Sequence, residues 1–174
     1  FNGLHHGTYI KIGNDLNIER KQDKEENMDF LDKRVGVICN ELKKLKVKQV
    51  FPLTQWEYKE GNFIHPEDAL KDEAAWENFD CKTMHWYGKD RHYWFRTTYT
   101  IPEELDGKSV WIRVSSQIDE WDDGRNPQFI VFVNGEVYQG IDMNHRECLI
   151  TRSGKAGETL TIDLQAYTGI MHEE

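Results

Sequence analysis

Phe129-Ile130-Val131-Phe132-Val133-Asn134-Gly135-Glu136-Val137-Tyr138 is the stretch that decides the fold. Phe129, Val131 and Val133 alternate with period two, which gives one apolar face on a strand. Asn134-Gly135 follows at once, and a two-residue hairpin needs positive φ at both central positions, which Asn and Gly tolerate best. Glu136-Val137-Tyr138 then opens the returning strand, so the local structure is antiparallel β.

Outward from this hairpin the same period recurs. Tyr93, Phe95, Thr97 and Tyr99 share one face, Val110, Ile112 and Val114 another, and Leu160, Ile162 and Leu164 a third. Asp106-Gly107, Asp123-Gly124 and Ser153-Gly154 separate the runs with turn chemistry. Short strands at this spacing, with no helices between them, predict an antiparallel sandwich or jelly roll.

Upstream of residue 90 the period lengthens. Leu31, Val35, Ile38, Leu42 and Leu45 recur every three or four positions from Phe30 to Val47, with Lys33, Arg34, Glu41, Lys43 and Lys44 on the other side. That is an amphipathic helix, with Asp29 placed to cap its first amides and lysines near its negative end. His65-Pro66-Glu67-Asp68 starts a second, shorter helix expected to end near Trp76, because proline and acidic residues suit a first turn. Both helices are expected to pack on the sandwich. The division this predicts is a polar N-terminal extension over 1–27, a helical and loop lead-in over 28–90, and sandwich strands over 91–174, with 28–174 forming one domain.

The bulk properties bound the partners. A chain of 174 residues can bury one core, and 38% hydrophobic and 12% aromatic residues are too many for a disordered polymer. A formal charge of -9 opposes phosphate backbones and anionic lipid surfaces, so nucleic acid and membrane are excluded as partners. Cys39, Cys81 and Cys148 are odd in number and form no C-x-x-C pair, which reads as buried free thiols in a reducing compartment. With no signal-peptide pattern at the start, a cytoplasmic location is expected.

At Phe132-Val133-Asn134-Gly135-Glu136-Val137-Tyr138-Gln139-Gly140-Ile141-Asp142-Met143-Asn144-His145-Arg146 the chain resembles the N-terminal domain of the bacterial and cytosolic α-mannosidases of glycoside hydrolase family 38. The shared features are a strand, an Asn-Gly or Asp-Gly turn, and a G-x-D-x-x-H segment. Tyr93-Trp94-Phe95-Arg96 before Ile101-Pro102, Leu105-Asp106-Gly107-Lys108, Gly157-Glu158 and Trp56-Glu57-Tyr58 extend the likeness over roughly residues 28 to 174. The resemblance implies a galactose-binding-like jelly roll that precedes a catalytic domain. It implies hydrolysis of α-mannosides by the full-length enzyme, with a zinc ion held by histidine and aspartate and an aspartate nucleophile in an H-x-D-opened domain. This sequence holds no H-x-D, so no cofactor is expected in this chain and the catalytic residues are expected beyond Glu174.

Within the chain, the acidic loop Asp119-Glu120-Trp121-Asp122-Asp123-Gly124-Arg125-Asn126 carries the densest chemistry, and it is longer and more acidic than the family pattern. Adjacent carboxylates in a loop lack the separation that a glycosidase needs between proton donor and nucleophile, so no catalytic residue is assigned. Asp119, Glu120, Asp122 and Asp123 offer hard oxygen ligands for a structural calcium ion, although their spacing is not that of an EF-hand. Trp121, with Asp119 and Asp122, is the candidate platform for a sugar ring. The other tryptophans, Trp94 and Trp111 among them, read as packing residues. Asn134, Gly135, Gly140, Asp142 and His145 read as a structural motif, with Asp142 hydrogen-bonding His145. The sequence thus predicts a non-catalytic module that docks on the remainder of an α-mannosidase polypeptide or in a homo-oligomer. The alternative is an autonomous carbohydrate-binding module with glycans as partners.

Overall fold

The computed structural model describes residues 7–12, 30–46, 49–115, 127–142 and 144–169. Among them the order is β1 (Gly7–Ile12), α1 (Phe30–Lys46), β2 (Gln49–Leu53), β3 (Gln55–Glu60), α2 (Pro66–Lys71), β4 (Glu77–Asp80), β5 (His92–Thr100), β6 (Val110–Ser115), β7 (Gln128–Val133), β8 (Glu136–Ile141), β9 (Glu147–Thr151) and β10 (Thr159–Tyr167). All strand pairs are antiparallel. They make a four-stranded sheet, β2-β1-β6-β9, and a six-stranded sheet, β4-β3-β5-β10-β7-β8.

One core joins the two sheets. Val110, Ile112 and Val114 of β6 and Cys148 and Ile150 of β9 meet Phe95, Phe129, Val131, Val133, Leu160, Ile162 and Leu164 of the larger sheet in a single buried cluster. The period-two faces in the sequence are therefore the inward faces, and each fully buried aliphatic or aromatic side chain contributes about 1.5–3 kcal/mol. The β7–β8 turn has φ 52° at Asn134 and 87° at Gly135, the left-handed pair that a tight hairpin demands. Asn134 also reaches sideways: its amide donates to Thr161 O at 2.8 Å and its Oδ1 accepts from Thr161 N at 2.9 Å, which extends the β7–β10 ladder past the turn.

Five expectations change. Gly7–Ile12 is not part of a separate polar extension but an inner strand of the smaller sheet, with Thr8, Ile10 and Ile12 paired to Val114, Ile112 and Val110. The stretch 28–90 is not only helix and loop, since it supplies β2, β3 and β4. α2 ends at Lys71 rather than near Trp76, because Asp72 turns to extended backbone and its Oδ1 accepts from Ala74 N at 3.0 Å, an alternative to continued helix. Of the two helices only α2 packs as expected: Ala69 and the half-buried Phe63 and Trp76 cover Trp94 and Phe132 on the outer face of the six-stranded sheet. α1 instead leaves Val35, Ile38 and Leu42 each more than half exposed, at 52%, 56% and 57%. Cys39 on α1 is likewise exposed, against the expectation for three buried thiols, whereas Cys81 and Cys148 are buried. The cap expected of Asp29 lies outside the described residues.

Among the described residues, no helix is long and apolar enough to cross a membrane.

Candidate functional site

The residues proposed from sequence as sugar platform and calcium ligands, Asp119, Glu120, Trp121, Asp122 and Asp123, lie outside the described residues. Among the described residues, no three His, Cys, Asp or Glu side chains come together in a way that could hold a metal ion. The structure does place the hairpin motif, and it places it beside a groove.

β8 ends at Ile141 and Asp142 begins the turn into β9. The Asp142 carboxylate gathers that turn: Oδ1 accepts from Asn144 N at 2.8 Å and His145 N at 2.6 Å and lies 3.2 Å from His145 Nδ1. Partial burial pushes this carboxyl up, but the two amides and the imidazole outweigh it and hold the group below its ordinary value. An ionised acceptor with this many donors fixes the turn, and both side chains serve the loop.

Next to that turn, strand register assembles a concave patch on the outer face of the six-stranded sheet. One rung sets His92, Tyr167 and Gln128 side by side; the next outward rung sets Gln165, Ile130 and Gly140 in line. The hollow these residues line has a volume of about 510 Å³. The rings of His92 and Tyr167 stack with centroids 4.8 Å apart. Tyr167 Oη donates to Asp90 Oδ1 at 2.9 Å, a bond that raises the phenol's pKa and pins the ring. Gln165 Nε2 donates to Phe63 O, so the loop before α2 forms the neighbouring rim.

A second concavity of about 590 Å³ opens between β3 and the loop before β5. Tyr58 and Tyr93 stack at its base, 6.4 Å apart. Its polar groups are engaged: Arg91 pairs with Glu60, Tyr58 Oη donates to Glu77 Oε2 at 3.3 Å, and Tyr93 Oη donates to Tyr87 O at 3.0 Å. Burial first, and the nearby carboxylates second, push both phenols up. Tyr87, 83% exposed, stands at its edge.

Among the described tryptophans, Trp56, Trp86 and Trp94 are buried and Trp76 and Trp111 half-buried, while Trp121 lies outside the described residues. Sequence reasoning did not single out His92, Gln128, Gln165 or Tyr167, because a face is chosen by what covers it. The available signal was Gly140, a glycine inside a strand.

No family model, curated protein or solved structure matches this chain.

Proposed function

We propose that this chain is a non-catalytic β-sandwich module, jelly-roll and galactose-binding-like in form, that docks on the remainder of a family 38 α-mannosidase polypeptide. The observation that carries the reading is α1. Its sequence is amphipathic, yet Val35, Ile38 and Leu42 stay more than half exposed in a chain that buries the matching faces of its strands. Apolar stripes of this kind on a helix are interaction surfaces. Covering the three side chains would contribute on the order of 1 kcal/mol each.

Two further features support it. The described residues of Phe132–Arg146, the segment that carries the family resemblance, supply the hairpin, β8 and the turn fixed by Asp142. Among the described residues, the carboxyl groups whose pKa moves, Asp72, Asp80 and Asp142, move down, and a glycosidase proton donor needs the opposite shift.

The test is an assay of the purified chain with p-nitrophenyl α-mannoside and with α-1,2-mannobiose. No turnover above the spontaneous rate is expected. Saturable hydrolysis that follows the chain through size-exclusion chromatography would contradict the reading.

A further inference from the structure

Gly140 is a residue that the fold does not require. Its φ lies outside the left-handed region, and a Cβ built on it would meet only Phe129 O, at 3.9 Å, an ordinary contact. Glycine within a strand costs stability, because it has the most backbone entropy to lose and no side chain to pack. What it provides here is bare backbone opposite Ile130, on the floor of the groove, where a ligand can come close to the sheet.

The surroundings define the ligand's chemistry. The groove has no Lys or Arg in its lining, so it offers an anion no permanent positive charge. Its one carboxylate, Asp142, already accepts from the turn through Oδ1. Gln128 brings a neutral amide able to donate and to accept, and Gln165, whose Nε2 already donates to Phe63 O, adds its carbonyl oxygen and second N–H. Ile130 contributes an exposed apolar surface, and the stacked His92 and Tyr167 rings make a wall that the Asp90 bond holds in place before any ligand arrives. A volume of about 510 Å³ falls in the range of small-ligand sites. The ligand that matches is neutral, ring-shaped, apolar on one face and rich in hydroxyl groups at its rim.

We propose that this groove is a binding site for a neutral pyranose ring, which lies over Gly140 and Ile130 against the His92–Tyr167 wall and hydrogen-bonds to Gln128 and Gln165. It needs only the groove and holds whether or not the module docks through α1.

Saturation-transfer NMR on the whole chain, with methyl α-D-mannopyranoside and methyl β-D-galactopyranoside as probes, tests it. At least one is expected to bind saturably. Gly140→Leu, which fills the hollow, is expected to weaken binding at least tenfold, and Gln128→Ala, at an exposed position, several-fold. Tyr87→Ala, in the other concavity, is expected to leave binding unchanged. If near-ultraviolet circular dichroism shows that Gly140→Leu has lost its packing, Gln128→Ala and Tyr167→Phe decide instead. No binding of either sugar, binding unaffected by the groove variants, or binding of adenosine or choline in place of both sugars would overturn the proposal.

Discussion

Asp163 lies in the middle of β10 on the outward side, yet it is fully buried and bound by Arg96 at 2.6 Å and 3.0 Å. The Arg96 guanidinium in turn sits 6.0 Å from the centre of the Trp76 ring. A buried carboxylate with a bidentate partner costs little only while the pair is complete; removing one member strands the other charge. Asp163→Ala is therefore expected to lower stability by about 3–5 kcal/mol, read as a shift in the urea midpoint, and a loss under about 1 kcal/mol would show the pair to be solvated. Thr161-Ile162-Asp163-Leu164 reads correctly as alternation, with Asp163 opposite the core. What the sequence could not convey is that the outer face is itself covered, since the cover comes from a segment some ninety residues away. The Asn134-Gly135 hairpin and the Asp142–His145 contact were legible for the contrary reason: their partners are adjacent in the chain, and φ preferences and short-range hydrogen bonds act locally.

The covering segment is held by one side chain. Lys59 points outward from β3, is 4% exposed, and its Nζ donates to Ala69 O and Asp72 Oδ1 at 2.8 Å, to Ala74 O at 3.2 Å and to Asp72 O at 3.3 Å. The rings of Phe63 and Trp76 lie 5.3 Å and 5.4 Å from the same nitrogen. Lys59→Met keeps the apolar stem but leaves carbonyls and a carboxylate without their donor, an expected loss of about 2–4 kcal/mol. The hydrogen bond from Lys59, then the amide of Ala74, holds the Asp72 carboxyl below its ordinary value. A carboxyl depressed on folding adds stability that is complete above the unfolded pKa and fades as pH falls through the folded one. Thermal melts from pH 6 down to pH 2.5 should show that acid loss in the parent chain and less of it in Lys59→Met; identical acid limbs would contradict the linkage. A buried lysine inside the alternation of Gln55–Glu60 looks like any solvated charge, so this clamp was not legible. For α1 the helix was legible from its period. Its packing was not, because amphipathicity says that a face needs a partner without saying which element supplies it.

At the scale of the molecule, both sheets are closed by strands that are distant in sequence. β1 sits between β2 and β6, and β10 between β5 and β7, so residues near both ends of the described chain complete the sandwich. The sequence made the second half plain because its strands alternate cleanly and are joined by glycine turns. β1, β2 and β4 have only four to six residues each and sit among polar stretches, where period two cannot be told from chance. The same closure buries one face of each sheet, and α1 and the Gly140 groove are among the described surfaces left open to other molecules. The most direct test of the proposed docking module is sedimentation velocity on the chain mixed with the separately expressed remainder of the family 38 α-mannosidase polypeptide that we propose as its partner. The account predicts one faster-moving complex that the double substitution Val35→Glu, Ile38→Glu abolishes while the sandwich stays folded; two independent boundaries with the unaltered chain, or a complex indifferent to those substitutions, would contradict it.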